Sequence, residues 1–265
     1  NNTEIQTETA PAFFPPTINS ETVGHIGSFE LRNTLLMSWV TLLVFIIAAF
    51  KLRKTKYLIV PGKFQNFMEM IVEGIYDFFH NVTQDARQTR LFFGLCATIF
   101  LYILVSNWLG LVPGVGPIGI YEEHEGRTVL VPLLRSAYSD INLTLAISVI
   151  SVFMTQVFGI MQLGTFHYFG KFFVNPFRDP IGAFVGILEL VSEFAKMISF
   201  SFRLYGNIFA GDVLLAVMGF LLPFIAPLPF YGLELFVGLV QALVFSLLTL
   251  VFLKMAVTSH AEHEA

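Results

Sequence analysis

Cysteine is almost absent from this chain: Cys96 is the single one in 265 residues, so no intrachain disulfide is possible. Its neighbours, FFGLCATIF, make it a packed thiol rather than a nucleophile. Charge is scarce as well, at 13% Asp, Glu, Lys and Arg against 55% hydrophobic residues, with 30 Phe and a mean hydropathy of +0.72. That composition excludes a water-soluble globular domain and fits a polytopic membrane protein. The formal net charge of −4 says little about partners, and no nucleic acid is expected among them. No P-loop is present, so no catalytic site of the chain's own is read. Gly114, Gly116 and Gly119 spell G-x-G-x-x-G, but Pro117 interrupts them, and neither a preceding strand nor a following helix is expected. Glu122, Glu123, His124 and Glu125 match no closed metal site and read as a solvated acidic loop. Neither cofactor nor metal is therefore expected. The first residue is Asn1 rather than Met, which raises the expectation that an N-terminal piece has been removed or is not included; no intact signal peptide is read.

The apolar runs set the architecture: all-α, with five membrane-crossing helices and one interfacial amphipathic helix. Residues 1 to 30 are polar and Pro-containing and read as an external tail. A first span, 33 to 50, stops at Lys51, Arg53, Lys54 and Lys56, a cluster that places this end on the cytoplasmic or matrix side and the N-terminus outside. Residues 61 to 85 space Phe64, Phe67, Met68, Ile71, Val72, Ile75, Phe78 and Phe79 at helical intervals, with acids and amides between them. This predicts an amphipathic helix in the inner interface or, alternatively, one packed on other protein. A second span covers 91 to 112 and ends near Trp108, and residues 113 to 138 follow as an external loop. Ser139 or Asp140 caps the third span, 140 to 163, in which Asn142 and Gln156 read as structural hydrogen-bonding groups.

Asp179-Pro180 marks the next helix start, and no proline recurs before Pro223. The 42 residues from 181 to 222 would span about 63 Å, roughly twice the hydrocarbon thickness. Such a helix must tilt strongly, or break near Gly206, Gly211 or Gly219. After the Pro-rich turn PFIAPLP, a fifth span, 231 to 259, completes a long tilted hairpin, and residues 260 to 265 form an inner tail.

The hairpin carries the polar residues that call for a function. Arg203 sits among Phe200, Phe202, Leu204 and Tyr205, where a guanidinium costs roughly 2.5–3.5 kcal/mol or more to insert, so it needs a partner or water. Asn207 shares its face, and Asp212, nine residues on, points the opposite way. Counting back from Arg203, a stripe of Ser199, Lys196, Glu193, Ser192 and Glu189 leads toward the inner surface. For Glu193 and Lys196 a solvated helix face explains the charges equally well. On the last helix Glu234 and Gln241 share a face, with Glu234 near the outer turn. Carboxylates thus stand on both sides of Arg203. Buried carboxylates can exchange protons near neutrality and a guanidinium cannot, so the arrangement suggests two unconnected proton routes with Arg203 blocking a direct passage.

The segment ELVSEFAKMISFSFRLYGNIFAGD, followed by ELFVGLVQALVFSLLTLVFLKMA, resembles subunit a of the rotary F-type ATP synthases. The earlier spans and DINLTLA fit that family in order, over nearly all of residues 30 to 259. The resemblance implies a non-catalytic, proton-translocating stator subunit, facing a c-subunit ring and held by peripheral stalk b-type subunits; the unremarkable loops favour a bacterial inner membrane over an organellar one. It further implies that Arg203 is the essential arginine opposite the ring carboxylate and that Asn207 and Gln241 support it. Asp212 and Glu234 would line an outer half-channel, and Glu189 an inner one. Many members have Glu in place of Asp212, and some have His in place of Glu234. The external loop and N-terminal tail carry no family motif. H⁺ is the expected ion, although the ring's ligands could instead select Na⁺. A stand-alone proton-coupled antiporter or channel is the alternative; the absence of an inverted repeat with a second broken helix argues against it. A purely structural anchor would leave Arg203, Asp212, Glu234 and Glu189 unexplained.

Overall fold

The computed structural model describes residues 22–26, 29–54, 62–112, 119–124, 127–132, 134–165, 168, 180–222 and 227–257. Within these, six helices dominate: α1 (Asn33–Lys54), α2 (Lys63–Thr83), α3 (Ala86–Gly110), α4 (Ile141–Leu163), α5 (Pro180–Leu221) and α6 (Pro227–Val257). All but α2 are long and apolar enough to cross a membrane. The chain is an all-α polytopic integral membrane protein. Its exterior confirms the solvent for which it is built: Trp39, Leu43, Phe50, Phe153, Phe184, Phe194, Phe202 and Phe236 lie exposed, an arrangement that water would not tolerate over so large an area.

Two antiparallel hairpins were not foreseen. β1 (Thr22–Ile26) pairs with β2 (Phe29–Arg32) in what had read as a featureless tail, and β2 runs directly into α1. β3 (Gly119–His124) pairs with β4 (Arg127–Pro132) between α3 and α4, so Glu122, Glu123 and His124 are strand residues. Each strand is short and its apolar pattern irregular, which left period-2 alternation without a signal. Gly114, Gly116, Pro117 and Glu125 lie outside the described residues, as do Lys56, Lys171, Arg178, Asp179 and the C-terminal tail.

The helix ends follow local chemistry. Asp85 caps α3 by accepting from Arg87 N at 2.8 Å, and Asp140 caps α4 by accepting from Asn142 N at 2.8 Å. α6 begins four residues earlier than the apolar run suggested, at Pro227, because proline is accommodated in the first helical turn, where its missing N–H has no partner to lose. α5 is unbroken over 42 residues, passing through Gly206, Gly211 and Gly219 without a kink-forming interruption.

Two apolar clusters join the helices. One gathers Ile99 and Ile103 of α3, Phe200, Leu204 and Ile208 of α5, and Ala242 and Phe245 of α6. The other gathers Phe79 of α2, Phe92 and Cys96 of α3, and Leu250 and Leu253 of α6. α2 therefore packs one edge on protein while Phe64, Phe67, Met70 and Phe78 stay exposed on the other, which is the geometry of a helix sharing its apolar surface between neighbours and lipid. Cys96 is fully buried, the packed thiol that its neighbours implied. Buried hydroxyls close pairwise between helices: Thr144 with Ser201 at 3.0 Å and Ser151 with Thr249 at 2.8 Å. Such pairs satisfy polar groups where no water competes and draw the backbones close.

Candidate functional site

α5 covers only one side of itself. Its buried residues, Gly186, Phe200, Ser201, Leu204, Ile208 and Gly211, form a stripe against α4 and α6, and the opposite surface carries Ser192, Ser199, Arg203, Gly206 and Asn207 in the open. Arg203 is exposed and, among the described residues, pairs with no carboxylate. Its guanidinium carbon lies 5.9 Å from the Phe200 ring centroid, at the edge of cation–π range. At membrane depth an uncompensated cation of this kind points to a partner outside the chain or to water.

Asn207, one turn further, reaches the other arm: its Nδ2 donates to Gln241 Oε1 at 2.7 Å. Gln241 is buried at 4% exposure, and its own Nε2 has no hydrogen-bond partner. The hydrogen bond Gln241 makes across the hairpin therefore goes to Asn207. The arms meet in one consistent register: Gly211 against Glu234, Asn207 against Gln241, Phe200 against Phe245 with ring centroids 4.8 Å apart, and Lys196 above Phe252 at 4.5 Å.

Glu234 and Asp212 lie near one another at the end of α5 toward the hairpin turn. Glu234 is 7% exposed and its carboxyl group lies against the Cα of Gly211, the residue before Asp212. Asp212 faces away from Arg203, toward the segment before α4, where Arg135 Nε stands 3.6 Å from its Oδ2. Arg135 was not foreseen, because a single cation in a loop has no periodicity to mark it. The same segment ends in Asp140, 5% exposed, which receives Asn142 Nδ2 at 3.0 Å and pairs with Arg32 of β2 at 3.6 Å. Asn142 thus bonds back to its own cap rather than across to another helix. α3 and α6 are tied nearby by Asn107 Nδ2 donating to Gly238 O at 3.3 Å and Trp108 Nε1 donating to Leu235 O at 3.2 Å.

At the far end of α5, Glu193 and Lys196 engage each other at 2.7 Å, so this part of the stripe is internally neutralised. Ser199 is exposed between them and Arg203, and Glu189 is half-buried. Tyr168, 1% exposed, was also missed; its hydroxyl donates to Gln156 Oε1 of α4. Burial first, and then the charges of Glu193 and Glu189, hold the Tyr168 phenol above its ordinary range. Glu189 and Glu193 are therefore close to the chain that follows α4. Two acidic groupings result, Asp212 with Glu234 and Glu189 with Glu193, separated by 23 residues of α5 from Glu189 to Asp212, about 35 Å of helix. Among the described residues no cluster of His, Cys, Asp and Glu could hold a metal ion.

A family model described as ATP synthase A chain matches residues 35–254. The chain is 37% identical over 214 residues to an ATP synthase subunit a from Desulfotalea psychrophila, covering 80% of this chain and 79% of that one. It is 35% identical to one from Gloeobacter violaceus, covering 87% and 86%, and 33% identical to one from Campylobacter fetus, covering 92% and 97%.

Proposed function

Since the chain belongs to the ATP synthase A chain family, we propose that it is the proton-translocating stator subunit of that complex, with two offset half-channels meeting a rotating ring on either side of Arg203. The carrying observation is Arg203 itself, exposed at membrane depth on the uncovered face of α5, without a carboxylate partner in the chain, between two acidic groupings.

A c-subunit ring supplies the missing carboxylate. Asp212 and Glu234 pass a proton from the outer side to that carboxylate, whose ionised form is costly in lipid and whose neutral form can rotate away. Nearly a full turn later, Glu189, Glu193 and Ser199 receive the proton on the inner route. Arg203 cannot release its own proton, so it attracts each returning ionised carboxylate and bars protons from crossing directly. Asn207 and Gln241 hold the arms in register beside it. Each charge gains about 2.3 kcal/mol per 100 mV, so several protons drive each ATP made at catalytic sites in other subunits. Peripheral stalk b-type subunits keep this chain from turning with the ring. The N-terminus lies outside and the C-terminus in the cytoplasm of a bacterial inner membrane, with residues 31–259 as one membrane domain.

The test is ATP synthesis driven by an imposed proton gradient in vesicles holding the intact complex, wild type against Arg203→Ala, after equal assembly is verified. Synthesis is expected to vanish while ring and catalytic head remain attached. A rate near wild type would make Arg203 structural and end this reading.

A further inference from the structure

Asp212 meets one cation among the described residues, and it comes from outside the hairpin. Arg135 Nε stands 3.6 Å from Asp212 Oδ2, longer than a hydrogen bond and well within ion-pair range. The Arg135 side chain is 10% exposed, so its charge is spent on its protein neighbours rather than on bulk water. Its backbone is equally constrained. Ser136 to Asp140 are all buried, Ser139 Oγ donates to Ser136 O at 2.8 Å, and a Cβ on Gly110 of α3 would come 2.9 Å from Ser136 Cβ. Asp140 is in turn gripped by Arg32 and Asn142. The guanidinium is thus mounted on a fixed segment rather than swinging on a loop.

The other charged or titratable groups around Asp212 are few. α6 brings Glu234, and the segment that carries Arg135 runs on through Tyr138 to Asp140, which is already paired. On α5 itself Tyr205 lies two turns away and Arg203 points to the opposite face. A buried carboxylate beside a second acid would hold its proton tightly; a cation 3.6 Å away works against that hold.

From this geometry we infer that Arg135 is a positioning residue of the outer proton route, holding Asp212 in its ionised, proton-accepting form between transfers. The inference rests on the reading of Asp212 as an outer-route residue. Arg135 touches neither the ring nor the transferred proton; it acts by letting Asp212 release what it receives.

The measurement is ATP synthesis in vesicles holding the intact complex, as a function of outer-side pH at constant total driving force, for wild type, Arg135→Lys, Arg135→Gln and Asp212→Asn. Without the guanidinium, Asp212 retains its proton to higher pH, so the acid limb for Arg135→Gln is expected to move up by about one pH unit or more. Arg135→Lys, which keeps the charge, should restore the wild-type limb. A lowered rate with an unmoved limb would overturn the inference, since a merely structural residue changes amount and not pH dependence. If Arg135→Gln does not assemble, Asp212→Asn with Arg135→Gln removes both charges together and is compared with Asp212→Asn alone; matching profiles support the inference and a further shift overturns it. Asp212→Asn at the wild-type rate would instead mean that the outer-route reading itself had failed.

Discussion

Gly211→Ala isolates the contact between the hairpin arms at Glu234 with one methyl group. A Cβ built on Gly211 falls directly onto Cδ, Oε1 and Oε2 of Glu234, all three well inside van der Waals contact. Glu234 is 7% exposed and cannot swing clear into solvent, so either its carboxyl group rotates away from Asp212 or the arms part. Overpacking of this kind costs about 1–3 kcal/mol. If that cost falls on the conformation competent for proton transfer, synthesis drops by roughly 5- to 150-fold, at about tenfold per 1.4 kcal/mol. The control carries the same chemistry on the same helix: a Cβ on Gly219 meets nothing within 4 Å. Gly219→Ala should keep wild-type synthesis and gain roughly 0.5–1 kcal/mol in helix stability. The assay is gradient-driven ATP synthesis normalised to assembled complex, with Gly211→Ala also tested on a Glu234→Asp background. The shorter acid withdraws from the added methyl, so part of the loss should return. Gly211→Ala within twofold of wild type, or a loss untouched by Glu234→Asp, would refute the packing argument.

Two further outcomes follow from neighbouring contacts. A double-mutant cycle on Asn207→Ala and Gln241→Ala should return a coupling of about 0.6 kcal/mol, and up to about 1.7, by thermal unfolding of the complex in detergent; zero coupling would mean that the 2.7 Å bond contributes nothing to the register. The Tyr138 hydroxyl is buried without a hydrogen-bond partner, and burial, followed by the neighbouring Tyr102, raises its phenol well above the ordinary value. The folded state thus favours the neutral phenol, a contribution fully present below about pH 10 and lost as pH climbs from there toward the folded-state value. Tyr138→Phe should be neutral or slightly stabilising at pH 7 and should unfold less readily above pH 10, read from melting temperatures across that range.

The spans and hairpin were legible in the sequence because lipid imposes a simple requirement: some 20 consecutive apolar residues per crossing, with every backbone group bonded inside its own helix. Arg203, Asp212 and Glu234 stood out for the same reason, as charges where the solvent penalises them. What the sequence could not show were pairings set by tertiary geometry. Arg135 and Asp212 are 77 residues apart, and nothing local in VPLLRSAYSD signals that its arginine turns inward. Tyr168 reaches Gln156 from outside any regular span, and its burial depends on Gly159, where a Cβ would collide with the ring. The hairpins β1–β2 and β3–β4 escaped because few residues and weak alternation make strands hard to distinguish from loops. Asn207 and Gln241 were both marked as polar residues of the hairpin, but that they bond to each other was not visible, since a helix count gives height and not partner.

The unbroken course of α5 has a mechanical side. A helix with no proline or bulge at which to yield behaves as a beam, so a sideways load at Arg203 is handed to the anchored stripe of Phe200, Leu204, Ile208 and Gly211 rather than absorbed by local bending. A beam gripped near its middle rocks like a seesaw. Whatever tilt brings Asp212 inward carries Glu189 outward, so the two ends of α5 are coupled by leverage alone.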